Sequence, residues 1–326
     1  MLITIDGSGE FKTIQEAIDS IPENNSKRTV IHIKNGIYRE KLIINKPNVT
    51  LLGEASDKTV FTFDDYAKKL FASGEAYRTF NSYSIYISGD DFTAENITFE
   101  NSAGDGRKVG QAVAAYVDAD KAVFRNCRFL GCTDTVFTAP LPPQPILGTD
   151  FGGPGEGKAK RKLRQYYENC YIKGDIDFIF GSATAVFNNC EIHSNDRKEA
   201  VNGYIAAAST PEGEKYGYVF LNCRLTSHAS PETVYLGRPW RNYAKTVFIN
   251  TWMGEHIKSE GWHNWNKEAA EKSSFYAEYN SYGPGAAPDK RVKWAKILSQ
   301  EEACEYTIEN ILKGSDNWNP AVLKEV

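Results

Sequence analysis

A chain of 326 residues is long enough to bury a substantial core, as one large domain or two ordinary ones. Its 38 Lys and Arg against 42 Asp and Glu give a formal charge of −4, which leaves no nucleic-acid footprint over the chain as a whole. No apolar run approaches the ~20 residues that span a bilayer, and the cysteines and histidines are scattered without a C-x-x-C pair, so no membrane contact, metal or cofactor is expected.

The opening, Met1 to Gly9, carries strand and turn signals and neither a basic region nor a long apolar segment. The chain is therefore expected to be cytoplasmic as written, or secreted if a leader has been removed. Phe11, Ile14, Ala17, Ile18 and Ile21 then recur at helical spacing, with Thr13 and Glu16 in a capping-box pattern and Pro22 behind. This predicts a short capping helix. Strand-like runs follow at Thr29–Lys34, Lys41–Ile44 and Val49–Leu52, separated by turn signals at Asn35-Gly36 and Lys46-Pro47-Asn48.

A repeat occupies the middle of the chain: aromatic, any residue, Asn, a small or apolar residue, any residue, apolar. It is centred on Asn126, Asn169, Asn189, Asn222 and Asn250, with a looser first copy at Asn96, at spacings of 30, 43, 20, 33 and 28 residues. Periods in this range mean a solenoid or propeller, and 20 residues is too short for a blade of ~40–45. The chain is thus all-β, a parallel β-helix that is right-handed by the crossover rule. Stacked coils would align the Asn residues as a bonding column, and Cys127, Cys170, Cys190 and Cys223 as a buried, reduced column.

Residues 139–164 leave the repeat as a Pro/Gly-rich excursion that ends in a basic run, Lys158, Lys160, Arg161, Lys162 and Arg164. This run is expected to sit at the edge of the site and attract carboxylates. Beyond residue 255 the pattern changes. Ser299 and Glu302 open a helix carrying Ala303, Tyr306, Ile311 and Leu312 and closed by Gly314, in a tail expected to pack along the solenoid. No linker marks a second domain, so residues 1–326 are read as a single domain, expected to be a monomer.

Two acids stand out in this frame. Asp134 and Asp177 each lie eight residues after a repeat Asn, so they should share one angular position on neighbouring coils, with backbones ~4.8 Å apart. The equivalent positions on flanking coils are Gly104, Arg197 and Ser230. Two such carboxyls drive one pKa up, which suits a nucleophile beside a general acid. Asp175 lies two residues before Asp177, on the same face at a strand's period of two.

Several motifs resemble the pectin methylesterase (pectinesterase) family, of the bacterial type: Gly36–Glu40, Gln111–Ala114, Asp134–Phe137, Asp177–Gly181, Leu236–Trp240 and Gly261–Trp265, with Tyr282–Ala286 and Arg291–Trp294 in the tail. The resemblance covers nearly the whole chain and implies the same right-handed β-helix. It implies Asp177 as nucleophile on a galacturonate methyl ester, Asp134 as general acid and base, Arg238 holding Asp177, and Gln111 as oxyanion donor. Phe137, Phe180, Tyr235, Trp240 and Trp265 match aromatics of the family's sugar cleft. Thr133 stands where many members have Gln, which puts part of the oxyanion stabilisation in doubt. The implied partner is methyl-esterified polygalacturonate or its oligomers. A glycosidase or lyase on the same solenoid is a second reading, because retaining glycosidases also pair carboxylates at ~5–5.5 Å. A non-catalytic uronate-binding β-helix is a third. Gln111 with Arg238, and the absence of Asn-Thr-Asp and Gly-His-Gly motifs, favour ester cleavage.

Overall fold

Every repeat Asn sits at a corner. The strands Ala122–Arg125, Arg164–Glu168, Thr184–Asn188, Tyr218–Leu221 and Lys245–Ile249 each run directly into one. Asn126, Asn169, Asn189, Asn222 and Asn250 there adopt φ between 51° and 56°. Asn tolerates this left-handed region better than other residues with a Cβ, so one residue per coil turns the chain from one sheet into the next. The computed structural model describes residues 1–3, 8–146 and 148–322. The expected opening strand is present at Leu2–Ile3, and the turn residues 4–7 lie outside the described residues.

Three parallel sheets of eleven, seven and eight strands result, stacked as a right-handed parallel β-helix. The repeat aromatics form a ladder inside it. Phe124, Tyr167, Phe187, Phe220 and Phe248 stack in turn at centroid distances of 4.9, 4.7, 4.6 and 4.4 Å. The four repeat cysteines are buried and unbonded to one another, each Sγ donating to backbone carbonyls. The Asn column bonds coil to coil from Asn189 to Asn169 (2.6 Å), Asn250 to Asn222 (3.3 Å) and Asn280 to Asn250 (2.9 Å). It is interrupted where Asn222 donates to Asn188 instead.

The capping helix is Ile14–Asp19, with the Thr13/Glu16 box formed and Ile14, Ala17 and Ile18 closing the core. At the other end the solenoid runs past residue 255, because Phe275–Tyr279 pairs in parallel with Lys245–Ile249. The expected single tail helix is two, Gln300–Cys304 and Ile308–Leu312. Thr307 divides them, since its hydroxyl accepts from the Asn310 N–H and starts a new N-cap. Ala303, Ile311 and Leu312 pack on Tyr166, Val186 and Val219 of the eleven-stranded sheet.

The basic run does not reach for a ligand. Lys158 pairs with Asp118 (3.1 Å), Arg161 with Asp90 (2.6 Å), Lys162 with Glu214 (2.5 Å) and Arg164 with Asp120 (2.7 Å) and Asp316 (2.5 Å). These cations fasten the excursion to the coils, so their charge is neutralised within the fold. Lys160 alone of the five is exposed without a salt bridge among the described residues.

Candidate active site

The seven-stranded sheet carries the chemistry. Its strands Ala115–Val117, Val136–Thr138, Ile176–Gly181, Gly203–Ala208 and Val234–Gly237 lie side by side in that order. Val136 pairs with Ile179, so two residues earlier Asp134 faces Asp177, and the Asp134 N–H donates to the Ile176 carbonyl at 3.0 Å. Equal offsets from the Asn corners do bring the two acids together.

Neither acid lies in regular strand geometry. Asp134 has φ 65° and Asp177 φ 51°, and the register with Gly203–Ala208 slips between Ile176 and Ile179. Left-handed non-glycine residues of this kind cluster at functional sites. The slip also breaks the period of two expected for Asp175 and Asp177. Asp177 turns to Arg238, whereas Asp175 Oδ1 accepts from the Thr133 hydroxyl at 2.8 Å and the Ile176 N–H at 2.7 Å. Thr133 therefore has its hydroxyl proton directed at Asp175.

Arg238 follows the Val234–Gly237 strand and reaches across the intervening strand to Asp177. Nε donates to Oδ1 at 2.8 Å and Nη2 to Oδ2 at 2.6 Å, a bidentate pair. Its guanidinium lies between two rings, 3.8 Å from the Tyr204 centroid and 3.7 Å from that of Trp265. The rings remove water from both faces and strengthen the pair.

Asp134 and Asp177 are 8% and 7% exposed. Burial pushes both carboxyls above their ordinary range, and the two then diverge. At Asp177 the hydrogen bonds and charge of Arg238 pull back, while at Asp134 the charge of Asp177 pushes further, leaving Asp134 well above. Of the two, Asp134 is therefore the carboxyl that holds a proton more readily and Asp177 the one that gives it up first. A pair so divided could supply a proton donor beside a carboxylate nucleophile.

Gln111 lies on the coil before Asp134, where the adjacent Ala112 N–H donates to the Thr133 carbonyl. Its side-chain amide has no hydrogen-bond partner among the described residues and is half-buried, so its donors are available. Trp240, Trp265 and Tyr235 are also half-buried; Trp265 covers Arg238, Tyr235 stacks on Tyr204 at 5.3 Å, and Trp240 lies over Phe180. Phe137 and Phe180 are different. They are 0% and 4% exposed, because Phe80, Tyr116 and the overlying Trp240 pack around them. They form the floor beneath Trp240 and do not line the cleft.

Two residues were missed in the sequence. Tyr204 covers one face of Arg238 and pairs with Ile176 and Tyr235, a register that unequal distances from the repeat Asn residues conceal in the sequence. Lys267 donates to the Pro239 carbonyl at 2.7 Å and lies 4.3 Å from the Trp265 ring. Burial, with Arg241 and Arg238 nearby, brings its pKa down to about 8. Nothing in its sequence neighbourhood pointed to this.

A pectinesterase family model matches residues 1–141 and 159–315. Pectinesterase 31 of Arabidopsis thaliana is 39% identical over 309 residues, covering 92% of this chain and 88% of its own. The pectin methylesterase from carrot superposes with a TM-score of 0.81 at 31% identity, covering 97% of this chain and 93% of the carrot chain. A pectin methylesterase in complex with a hexasaccharide superposes with a TM-score of 0.79 at 31% identity, covering 99% of this chain and 98% of that one. Plant proteins stand among these, so the likeness is not confined to a bacterial type.

Proposed function

The chain belongs to the pectinesterase family, and on that premise we propose that it removes methyl esters from galacturonate units of pectin with Asp177 as nucleophile and Asp134 as acid and base. The observation that carries this reading is the asymmetric pair: Asp177 clamped by Arg238, beside an Asp134 that no arginine holds and whose pKa burial and Asp177 push well up.

A carboxylate oxygen of Asp177 attacks the ester carbonyl carbon. The carbonyl π pair moves to oxygen, where the free amide of Gln111 donates to it. Collapse breaks the bond to methoxide as Asp134 gives up its proton, releasing methanol and leaving an acyl-enzyme. Asp134, now ionised, takes a proton from water, and the hydroxide attacks the acyl carbon. Asp177 departs as carboxylate with Arg238 in place, and Asp134 is again protonated. One acid thus serves both half-reactions, as the divergence of the two carboxyls requires. The half-buried faces of Trp240, Trp265 and Tyr235 suit sugar rings, and the substrate is methyl-esterified polygalacturonate or its oligomers.

The test is release of methanol from methylated pectin and from short methylated oligogalacturonides, with reducing ends followed in parallel. Methanol with constant reducing ends is expected. Chain cleavage in step with turnover would establish the glycosidase or lyase reading, and binding without methanol the non-catalytic one.

A further inference from the structure

Arg238 is bracketed by one short turn, residues 263–267. The His263 N–H donates to the Gly237 carbonyl at 3.1 Å, and Lys267 Nζ donates to the carbonyls of Pro239 at 2.7 Å and Trp240 at 3.2 Å. Between these anchors Trp265 lays its ring on the guanidinium, 3.7 Å from centroid to carbon. The turn thus holds the backbone before Arg238, the backbone after it and one face of its side chain.

This turn does not keep its shape unaided. Trp265 and Asn266 both have φ 56°, in the left-handed region that residues with a Cβ disfavour, bulky ones most. Such a conformation persists only where neighbouring groups determine it. Two side-chain acceptors do so here. Asn264 Oδ1 accepts the Asn266 N–H at 2.9 Å, and His263 Nδ1 accepts the Trp265 N–H at 2.9 Å. Asn264 is fixed in turn by its amide, which donates to Glu271 at 2.7 Å. An imidazole nitrogen accepts only while it carries no proton, so the bond to Trp265 requires the neutral ring with its proton on Nε2. The surroundings favour that form. The His263 ring is half-buried and edge-on to Tyr204 and Tyr235 at 5.7 and 5.2 Å, and burial with the charge of Arg238 lowers its pKa.

We propose that His263 and Lys267 are positioning residues for Arg238, His263 by fixing the Trp265 backbone through its Nδ1 acceptor and Lys267 by tying the turn to the carbonyls that follow the arginine. Without either tie Trp265 leaves the guanidinium, water reaches that face, and the bidentate hold on Asp177 loosens. The effect on turnover rests on the proposed function, while the effect on the Arg238–Asp177 pair rests on the geometry of the turn.

The test reads both effects. His263→Asn keeps an acceptor for the N–H two residues on, as Asn264 does for Asn266, whereas His263→Leu keeps bulk and removes it. His263→Leu and Lys267→Met should each lower kcat for methanol release about tenfold, and His263→Asn should retain most of the wild-type kcat. In protein with isotope-labelled arginine, the Arg238 Nε–H signal, identified by its loss in Arg238→Lys, reports the clamp without any reaction. Its exchange with water should be slow in the wild type and in His263→Asn, and about tenfold faster in His263→Leu and Lys267→Met. A general loosening of the fold would affect the Asn and Leu variants alike, so equal losses in those two would overturn the role of the Nδ1 acceptor. Unchanged kcat and exchange in both His263→Leu and Lys267→Met would overturn the positioning altogether. If the wild-type protein released no methanol, the esterase reading would fall, and exchange at Arg238 would still decide the positioning.

Discussion

Among the arginines that clamp a carboxylate bidentately, Arg291 and Arg238 do so to opposite ends. Arg291 and Glu278 lie inside the last coils, 2% and 3% exposed at the side chain. Arg291 Nε and Nη2 hold Glu278 at 2.7 and 3.2 Å, while Nη1 donates to the Lys258 and Ser259 carbonyls and Nη2 also to that of Gly285. Every N–H of that guanidinium is engaged. Arg238 holds Asp177 just as closely, but its faces are covered by aromatic rings, and its carboxylate stands beside a second acid whose pKa is pushed well up by burial and by Asp177. A pair that completes its hydrogen bonds is inert and structural. A pair left incomplete, with a second acid next to it, is the one proposed to react.

Exchanging one carboxylate for its amide in each pair should separate the two roles. Asp177→Asn is expected to lower methanol release by about 10⁴-fold or more, with little change in melting temperature. Retained turnover in the folded variant would remove Asp177 from the mechanism. Glu278→Gln should do the reverse. Breaking a buried pair costs about 3–5 kcal/mol, seen as a lower denaturation midpoint, while turnover per folded molecule stays within twofold.

A finer cut concerns the proton on Asp134. Its folded pKa is raised by burial and by Asp177, so the folded state binds more protons than the unfolded state above the ordinary carboxyl value of ~4. This group's contribution is therefore fully present below ~4 and is lost as pH rises toward the raised folded value. Asp134→Asn removes that loss. Its melting temperature should exceed the wild-type value by a few degrees at pH 7 and by less at pH 3, although the variant is inactive. An equal offset at both pH values would mean that Asp134 is not held protonated by the fold.

The smallest effect is expected at Thr133, whose hydroxyl is tied to Asp175. Thr133→Gln supplies an amide beside Asp134 and should raise kcat on polymeric pectin a fewfold. The new side chain must find room beside Gly106, where even an added Cβ would stand 2.1 Å from the Thr133 hydroxyl oxygen. An unchanged kcat in a folded variant would leave Gln111 as sufficient donor.

The sequence made the solenoid legible because each coil repeats one demand: a ring for the interior ladder, then an Asn for the left-handed corner. It made the acid pair legible because both acids keep the same distance from that corner. What it hid was whatever departs from uniform strand geometry or joins distant segments. The left-handed backbone at Asp177 sent Asp175 and Asp177 to different partners, which alternation could not foresee. The charges of the basic run were visible, but their partners, 71 residues away for Arg161 and 40 for Lys158, were not. Phe137 and Phe180 matched cleft positions by motif. Only packing under Trp240 places them in the floor.

The cysteine column gives this fold a set of internal clocks. Cys304 is exposed and Cys132 half-buried, whereas Cys127, Cys170, Cys190 and Cys223 are sealed in successive coils. A thiol reagent should label the first two in the native protein and reach the others only as their own coils part. Solenoid coils contact only their neighbours, so the order in which those four sulfurs react reports where the stack begins to unzip.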